Sequence, residues 1–170
     1  MPHASRFFRY ATLLVLITGL GGLTALTGCG PGYLDKGKRV TATESNKTIY
    51  NVLKAYHKAI EDRDVATLKK MTSKRYYENG GSTDTDKDDY GVDRLKNDVL
   101  PRLRDNVKRV TFSIRLLAIR IDGAEAEADY EFIGRVLLSE GGKESYKAWR
   151  DFAQMKLIRE EGDWKIARGM

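Results

Sequence analysis

The sequence predicts an α+β domain in which N-terminal helices pack on one face of a curved antiparallel sheet. Apolar residues recur at helical spacing between residues 49 and 103, and from Val110 onward they alternate with polar ones. Helices that precede a run of antiparallel strands gather on one side of the sheet, because each apolar face needs a partner layer. A chain of 170 residues fits one such domain with one core.

The first 28 residues have the charge order of an export signal. Arg6 and Arg9 precede a long apolar run, and no acidic residue stands ahead of Cys29. Residues 26–29 read Leu-Thr-Gly-Cys, which resembles the lipobox of bacterial lipoproteins. The resemblance implies that residues 1–28 are a signal peptide that is removed, and that Cys29 is acylated as the new N-terminus. An uncleaved membrane-spanning helix is the alternative, since about 17 to 25 apolar residues can cross a bilayer.

A lipidated Cys29 implies a cell-envelope protein that is anchored to a membrane. In lipoproteins of Gram-negative cells, an aspartate after the cysteine commonly retains the protein at the inner membrane. Gly30 stands there instead, which favours the outer membrane if the organism is Gram-negative. Loss of the signal removes Arg6 and Arg9 and lowers the formal net charge from +6 to +4. Basic residues are interspersed with acidic ones in no concentrated stripe, so we expect no nucleic-acid partner.

The domain proper is predicted to span residues 44–170, after a flexible tether at residues 29–43 that has glycines, Pro31 and no apolar period. The first helix carries an apolar stripe, and Thr43 or Ser45 can cap its start. The stripe consists of Ile49, Val52, Leu53, Tyr56 and Ile60.

Two further helices are predicted before the sheet. Asp64 opens the second one, and a charged loop follows it at residues 82–89. Pro101 kinks the third helix or stands at its boundary. The third helix is indicated by Val92, Leu95, Val99, Leu100 and Leu103.

Period-two alternation predicts an antiparallel meander in the second half. Turns at residues 122–123, 141–142 and 161–163 separate four strands. The second strand has the cleanest pattern, with alanines and aromatic residues on one face and acidic residues on the other. The face predicted to be wet carries Glu125, Glu127, Asp129 and Glu131.

This arrangement resembles the nuclear-transport-factor-two-like superfamily, which includes ketosteroid isomerase, scytalone dehydratase and the SnoaL-like proteins. The resemblance covers residues 48–168. It rests on residues 56–64 and on the final strand pair at residues 152–157 and 162–166. It implies a cone in which helices close one mouth of a bent sheet over an apolar pocket. The pocket candidates are the aromatic residues Tyr56, Tyr76, Tyr130, Phe152 and Trp164.

The resemblance also gives catalytic candidates. Tyr56 lies eight residues before Asp64, which is the spacing of the oxyanion-binding tyrosine in ketosteroid isomerases. Enolisation also needs a carboxylate base, for which Glu78 is the candidate, and a second donor. The place for that donor falls at residues 154–155, where neither residue is acidic. His57 is the remaining candidate, because scytalone-dehydratase-like enzymes use histidine with an aspartate, which the sequence does not place.

The incomplete catalytic set favours a non-enzymatic, lipid-anchored protein that binds a small apolar ligand or an envelope protein. An isomerase-like or dehydratase-like enzyme that uses Tyr56 with Glu78 or His57 is one alternative. The other is a structural subunit that forms a homodimer through the open sheet face around Arg115, Leu117 and Ile119. We expect no cofactor and no metal, since a zinc centre needs three or four ligands and one histidine remains after the signal.

Overall fold

The computed structural model describes residues 32–80 and 87–170. The signal peptide, the lipobox and Cys29 lie outside the described residues, so lipidation stays a prediction. Among the described helices, none combines the length and the apolar character that a membrane crossing requires.

Helices form the first half of the domain. Thr43 caps α1, because its hydroxyl oxygen accepts a hydrogen bond from the Asn46 N–H at 3.2 Å. Asp64 caps α2 in the same way, accepting from the Thr67 N–H at 3.0 Å. The helical segments are α1 (Glu44–Glu61), α2 (Val65–Met71), α3 (Val92–Arg94), a π turn (Leu95–Val99) and α4 (Leu100–Asn106).

The predicted third helix is continuous through Pro101 but changes its winding just before it. Pro101 lies in the first turn of α4, and the Leu100 N–H bonds to the Leu95 carbonyl five residues back. A proline inside an α-helix loses one hydrogen bond and its ring collides with a carbonyl of the preceding turn. The π turn widens the helix at this point, where the sequence predicted a kink or a boundary.

The second half is a four-stranded antiparallel sheet in the order β3-β4-β5-β6, as predicted from the alternation. A separate two-stranded sheet, β1 with β2, was not predicted. The strands are β1 (Tyr77–Glu78), β2 (Tyr90–Gly91), β3 (Val107–Asp122), β4 (Glu125–Glu140), β5 (Lys143–Glu160) and β6 (Asp163–Arg168).

The core lies between α1 and the inner face of this sheet. The α1 stripe buries Ile49 and Leu53 completely, and Leu68 of α2 is equally buried. Leu116 and Met155 meet them from the sheet. Burial of a leucine or isoleucine side chain contributes about 1.5–3 kcal/mol, so these residues fix which face of the sheet the helices cover.

A β-bulge in β3 changes which residues face the core. Leu116 pairs with Tyr130, but Ala118 pairs with Asp129, so β3 has one residue more than β4 over this stretch. Ile119 consequently pairs with Ala128 on the inner face, whereas Arg115 lies on the outer face beside Glu131. The predicted dimerisation surface of Arg115, Leu117 and Ile119 is therefore wrong as a set, because the bulge separates its members.

The end of the predicted tether is not free of the domain. Val40 is buried in the core, and the Leu34 N–H donates to the Val40 carbonyl at 3.0 Å. Asp35 accepts a hydrogen bond from the Leu116 N–H at 3.0 Å, on the free edge of β3. Residues 32–43 thus pack on the domain and cover part of an edge strand, whose exposed N–H groups otherwise invite pairing with another chain.

Glu131 departs from the prediction of a wet face on β4. Its side chain is 4% exposed, because the guanidinium groups of Arg115 and Arg150 both contact its carboxylate. These two arginines come from the neighbouring strands β3 and β5 and lie over it. Their contacts hold the pKa of Glu131 below its usual range, with the Arg150 hydrogen bond as the largest cause.

Candidate functional site

His57 lies on α1 where the helix meets the sheet. It is 8% exposed, and three aromatic rings contact its imidazole edge to face. The ring centroids of Tyr56, Phe112 and Tyr130 lie 5.2, 5.5 and 5.1 Å from that of His57. Tyr56 precedes it on α1, while Phe112 and Tyr130 project from β3 and β4. The histidine is therefore held among apolar ring surfaces.

The imidazole of His57 has no polar partner. Both ring nitrogens, Nδ1 and Nε2, are buried and form no hydrogen bond in the described structure. Burial alone lowers the pKa of His57 to about 4. The ring is therefore neutral at pH 7, with one nitrogen as a donor and the other as an acceptor.

A cavity of about 180 Å³ adjoins this histidine. A dry cavity of about 150 Å³ holds one benzene molecule, so this space accommodates a single six-membered ring. Trp149 is the most exposed of the lining residues, at 38%. We call this space the aromatic cavity; its lining residues are Tyr56, His57, Ile60, Phe112, Tyr130, Phe132 and Trp149.

Gly134 makes room for two of these rings. A Cβ atom at Gly134 would lie 2.9 Å from the Trp149 ring and 3.0 Å from the Phe112 ring. Gly134 pairs with both residues across the sheet, with Phe112 on β3 and with Trp149 on β5. The signal in the sequence was a glycine inside a strand, which often marks close approach of another group.

Two tyrosines that line the cavity keep their hydroxyl protons. Burial raises the pKa of Tyr130 to about 12. Burial is also the largest cause of a raised pKa at Tyr56, and the nearby Tyr130, Tyr90 and Glu78 add to it. Both groups are therefore hydrogen-bond donors at neutral pH, and neither supplies a phenolate.

Of the three catalytic candidates, Tyr56 and His57 line the aromatic cavity, whereas Glu78 is near enough to Tyr56 to raise the pKa of its hydroxyl but hydrogen-bonds to other groups. One Glu78 oxygen accepts from the Gly169 N–H at 2.7 Å and from the Tyr76 hydroxyl at 3.3 Å. The other contacts the Arg168 guanidinium at 3.4 Å. Glu78 does not line the aromatic cavity, and its oxygens are occupied by the C-terminal strand segment.

The five predicted pocket residues separate into four places. Tyr56 and Tyr130 line the aromatic cavity. Tyr76 is buried elsewhere, with its ring centroid 6.2 Å from that of Tyr90. Phe152 pairs with Glu131 on the outer face and is 67% exposed, so its assignment to the pocket was wrong. Trp164 lines a different groove, which has a volume of about 590 Å³.

Phe112, Phe132 and Trp149 are cavity residues that the sequence analysis did not single out. Their ring centroids lie 6.2–6.3 Å apart, with interplanar angles of 74–85°. Edge-to-face contacts of this kind are favourable and hold the rings in fixed orientations. Within residues 32–80 and 87–170, no three His, Asp or Glu side chains are grouped to hold a metal ion.

Comparison with known proteins supports the fold assignment. No family model matches the sequence, and no curated protein matches it. Among solved structures, a conserved protein from Planctomyces limnophilus is similar, with a TM-score of 0.62, 16% identity, and coverage of 74% of this chain and 93% of that one.

Two further structures carry family descriptions. A nuclear transport factor 2-like superfamily protein from Salmonella enterica has a TM-score of 0.59 and 13% identity, over 75% of this chain and 90% of that one. A ketosteroid isomerase-like protein from Erwinia carotovora atroseptica has a TM-score of 0.60 and 15% identity, over 75% and 94%. The described part of the chain therefore has the nuclear-transport-factor-two-like fold.

Proposed function

We propose that this protein is a lipid-anchored binding module of the cell envelope, and that its aromatic cavity takes a small, uncharged aromatic molecule with one hydroxyl or N–H group. The unpaired imidazole of His57 carries the proposal. A buried polar group without a partner costs about 1–3 kcal/mol. Neither nitrogen is exposed to the empty cavity, so the ring turns when a ligand hydrogen-bonds to it and recovers that cost. The size of the cavity limits the ligand to about one ring.

The charge state of the cavity favours binding over catalysis. His57 is neutral because it is buried, and no carboxylate contributes to its pKa. A histidine that acts as a general base usually has a pKa near the working pH and a second group that orients it. With neither feature present in the described residues, the imidazole is suited to hold a hydroxyl group.

Phenol and toluene test this proposal, because they share a ring and differ by a hydroxyl in place of a methyl group. In a Trp164→Phe background, Trp149 is the sole tryptophan and reports on the cavity by fluorescence. We expect saturable binding of phenol, about tenfold tighter than that of toluene. His57→Phe should remove this preference, because the hydroxyl loses its partner.

Equal affinity for the two compounds, or an unchanged preference in His57→Phe, would contradict the role of the imidazole. Absence of saturable binding by either compound would contradict the cavity as a ligand site. Ser139→Ala, a change on β4 remote from the cavity lining, is the matched control and should leave both affinities unchanged.

An enzyme of the isomerase or dehydratase class is the second candidate. The observation in its favour is that Tyr56, with a protonated hydroxyl, and His57, with a neutral imidazole, line the same cavity. A donor and a base in one apolar space are the minimum for enolisation. The ketosteroid isomerase-like neighbour has the same fold, but a fold hosts many functions. If a turnover is demonstrated and the Tyr56→Phe substitution leaves its rate unchanged, this candidate is excluded.

Dimerisation through the sheet is the third candidate. Helices cover the inner face, whereas Ile133, Tyr146 and Phe152 are exposed on the outer face of β4 and β5. Exposed apolar residues grouped on a flat surface are typical of protein interfaces. Sedimentation of the wild type and of Phe152→Glu tests this, and a monomer at high concentration in both would exclude it.

The lipid anchor is a separate part of the proposal, supported by the lipobox at residues 26–29. Mass spectrometry of the membrane-extracted protein should find an acylated N-terminal Cys29. Cys29→Ser should yield an uncleaved precursor, and an unmodified wild-type chain in the cytosol would contradict the anchor.

A further inference from the structure

The groove between α1, α2 and the β5–β6 hairpin is separate from the aromatic cavity and differs from it in chemistry. It has a volume of about 590 Å³, and it shares no lining residue with the cavity. We propose that this groove is a second binding site, which takes an amphiphilic carboxylate: an aliphatic chain with a negatively charged head group. Small-molecule sites typically enclose about 300–1,000 Å³, and this groove falls in that range.

The floor of the groove is apolar. Val52 and Ala55 of α1, Met71 of α2 and Trp164 of β6 line it. Val52, Met71 and Trp164 pack against the buried core from outside, so their positions are fixed by the fold. An aliphatic chain laid on this floor removes apolar surface from water on both sides, at about 25 cal/mol per Å².

The rim of the groove is basic. Lys70 of α2, Arg159 of β5 and Lys165 of β6 line it, against one acidic residue, Asp163. Asp163 lies 3.5 Å from the Lys165 ammonium group and offsets its charge. Two positive charges remain for a ligand, one on α2 and one on β5.

These two cations have no carboxylate partner at salt-bridge distance among the described residues. The Arg159 guanidinium lies over the Trp164 ring, 5.2 Å from its centroid. Stacking on an aromatic ring fixes the plane of a guanidinium while its N–H groups remain free to bind a carboxylate. Lys70 supplies a second charge, on a more flexible side chain, from α2. Charge complementarity therefore selects an anion, and the floor selects an apolar tail.

Decanoate and decan-1-ol test the proposal, because they share a chain and differ in head-group charge. In a Trp149→Phe background, Trp164 is the sole tryptophan and reports on the groove. We expect decanoate, below its micelle concentration, to shift Trp164 fluorescence saturably and to bind about tenfold more tightly than decan-1-ol at low salt. Higher salt should narrow the difference, because surface charges are screened.

The double variant Lys70→Gln with Arg159→Gln should weaken decanoate binding about tenfold and leave decan-1-ol binding within about twofold. Lys147→Gln is the matched control, since this exposed cation lies on β5 outside the groove lining. Equal affinities for the two compounds, or a double variant that binds decanoate as the wild type does, would overturn the proposal. A response of Trp149 in Trp164→Phe without one of Trp164 would also overturn it, by placing decanoate in the aromatic cavity.

Discussion

Lowering the pH from 7 to 4 is expected to reduce the free energy of unfolding of the wild type by about 3 kcal/mol more than that of a His57→Phe variant. The folded state holds the pKa of His57 at about 4, against 6.5 for an unperturbed histidine. Between these values the unfolded chain binds a proton that the folded chain does not bind. The part of the free energy of unfolding that depends on a neutral His57 is therefore fully present above pH 6.5, and it is lost as the pH falls towards 4. Urea unfolding at several pH values measures the difference.

Two further readouts make this prediction independent of how well the variant folds. The His57 ring-proton chemical shift should titrate near pH 4 in the folded protein. At pH 7 the His57→Phe variant should be at least as stable as the wild type, because it removes two buried nitrogens without partners. A ring that titrates near pH 6.5, or identical pH slopes for the two proteins, would show that the imidazole is solvated.

His57 lowers the stability of the empty domain, and in the proposed function it binds the ligand. An apolar ring at position 57 would satisfy the aromatic neighbours Tyr56, Phe112 and Tyr130 without any unpaired nitrogen. The histidine at position 57 therefore lowers the stability of the empty domain. Binding of a ligand by the ring nitrogens would explain why a histidine stands there. The phenol and pH experiments therefore examine the same pair of atoms from the bound and the empty state.

The elements of the fold were predictable from sequence because burial leaves a local pattern. The stripe on α1 and the alternation in β4 report directly on which residues meet the core, and Thr43 and Asp64 cap helices as their types suggest. The change of winding in the third helix was also predictable in its position, because the effect of Pro101 acts within one turn. Each of these signals lies within a few residues of the feature that it predicts.

Long-range contacts left no such pattern. Asp35 bonds to a backbone group 81 residues away, and Arg115 and Arg150 cover Glu131 from two other strands. An acidic residue in an alternating strand is therefore predicted to be wet, and a short polar segment is predicted to be a tether. The contacts that bury Glu131 and that hold the predicted tether on the domain appear only in the three-dimensional structure.

The candidate site was predictable in part for the same reason. Tyr56 belongs to the α1 stripe and His57 follows it directly, so the helical pattern places both residues beside the core. Trp149 and Phe152 have opposite parity on β5, and Phe152 was the one assigned to the pocket from the sequence. In the structure Trp149 faces inward, where Gly134 on β4 leaves space for its indole ring.

The bulge in β3 could not be predicted from the sequence, because the residues that form it are apolar. Residues 116–119 read Leu-Leu-Ala-Ile, so alternation is lost over the four residues where the extra one is inserted. Either register buries apolar side chains, and the pattern cannot choose between them. Leu116 and Leu117 are consequently the pair whose different environments test the register most directly.

Leu116→Ala is expected to lower the free energy of unfolding by about 2–5 kcal/mol, because the side chain is fully buried and its loss leaves a cavity. Leu117→Ala removes the same atoms from the adjacent half-buried position in the bulge, and should cost less than about 1.5 kcal/mol. Urea unfolding of the two variants at pH 7 measures both values under identical conditions.

The two leucines serve as controls for each other, since they share residue type, strand and neighbours along the chain. A larger loss for Leu117→Ala would mean that the extra residue lies elsewhere in β3, and the inner face would then present Leu117 in place of Leu116. Equal losses would mean that both side chains are buried, by a layer on the outer face. The outer face would then be covered in solution, and sedimentation of the wild type and of Phe152→Glu would show whether a second copy of the chain covers it.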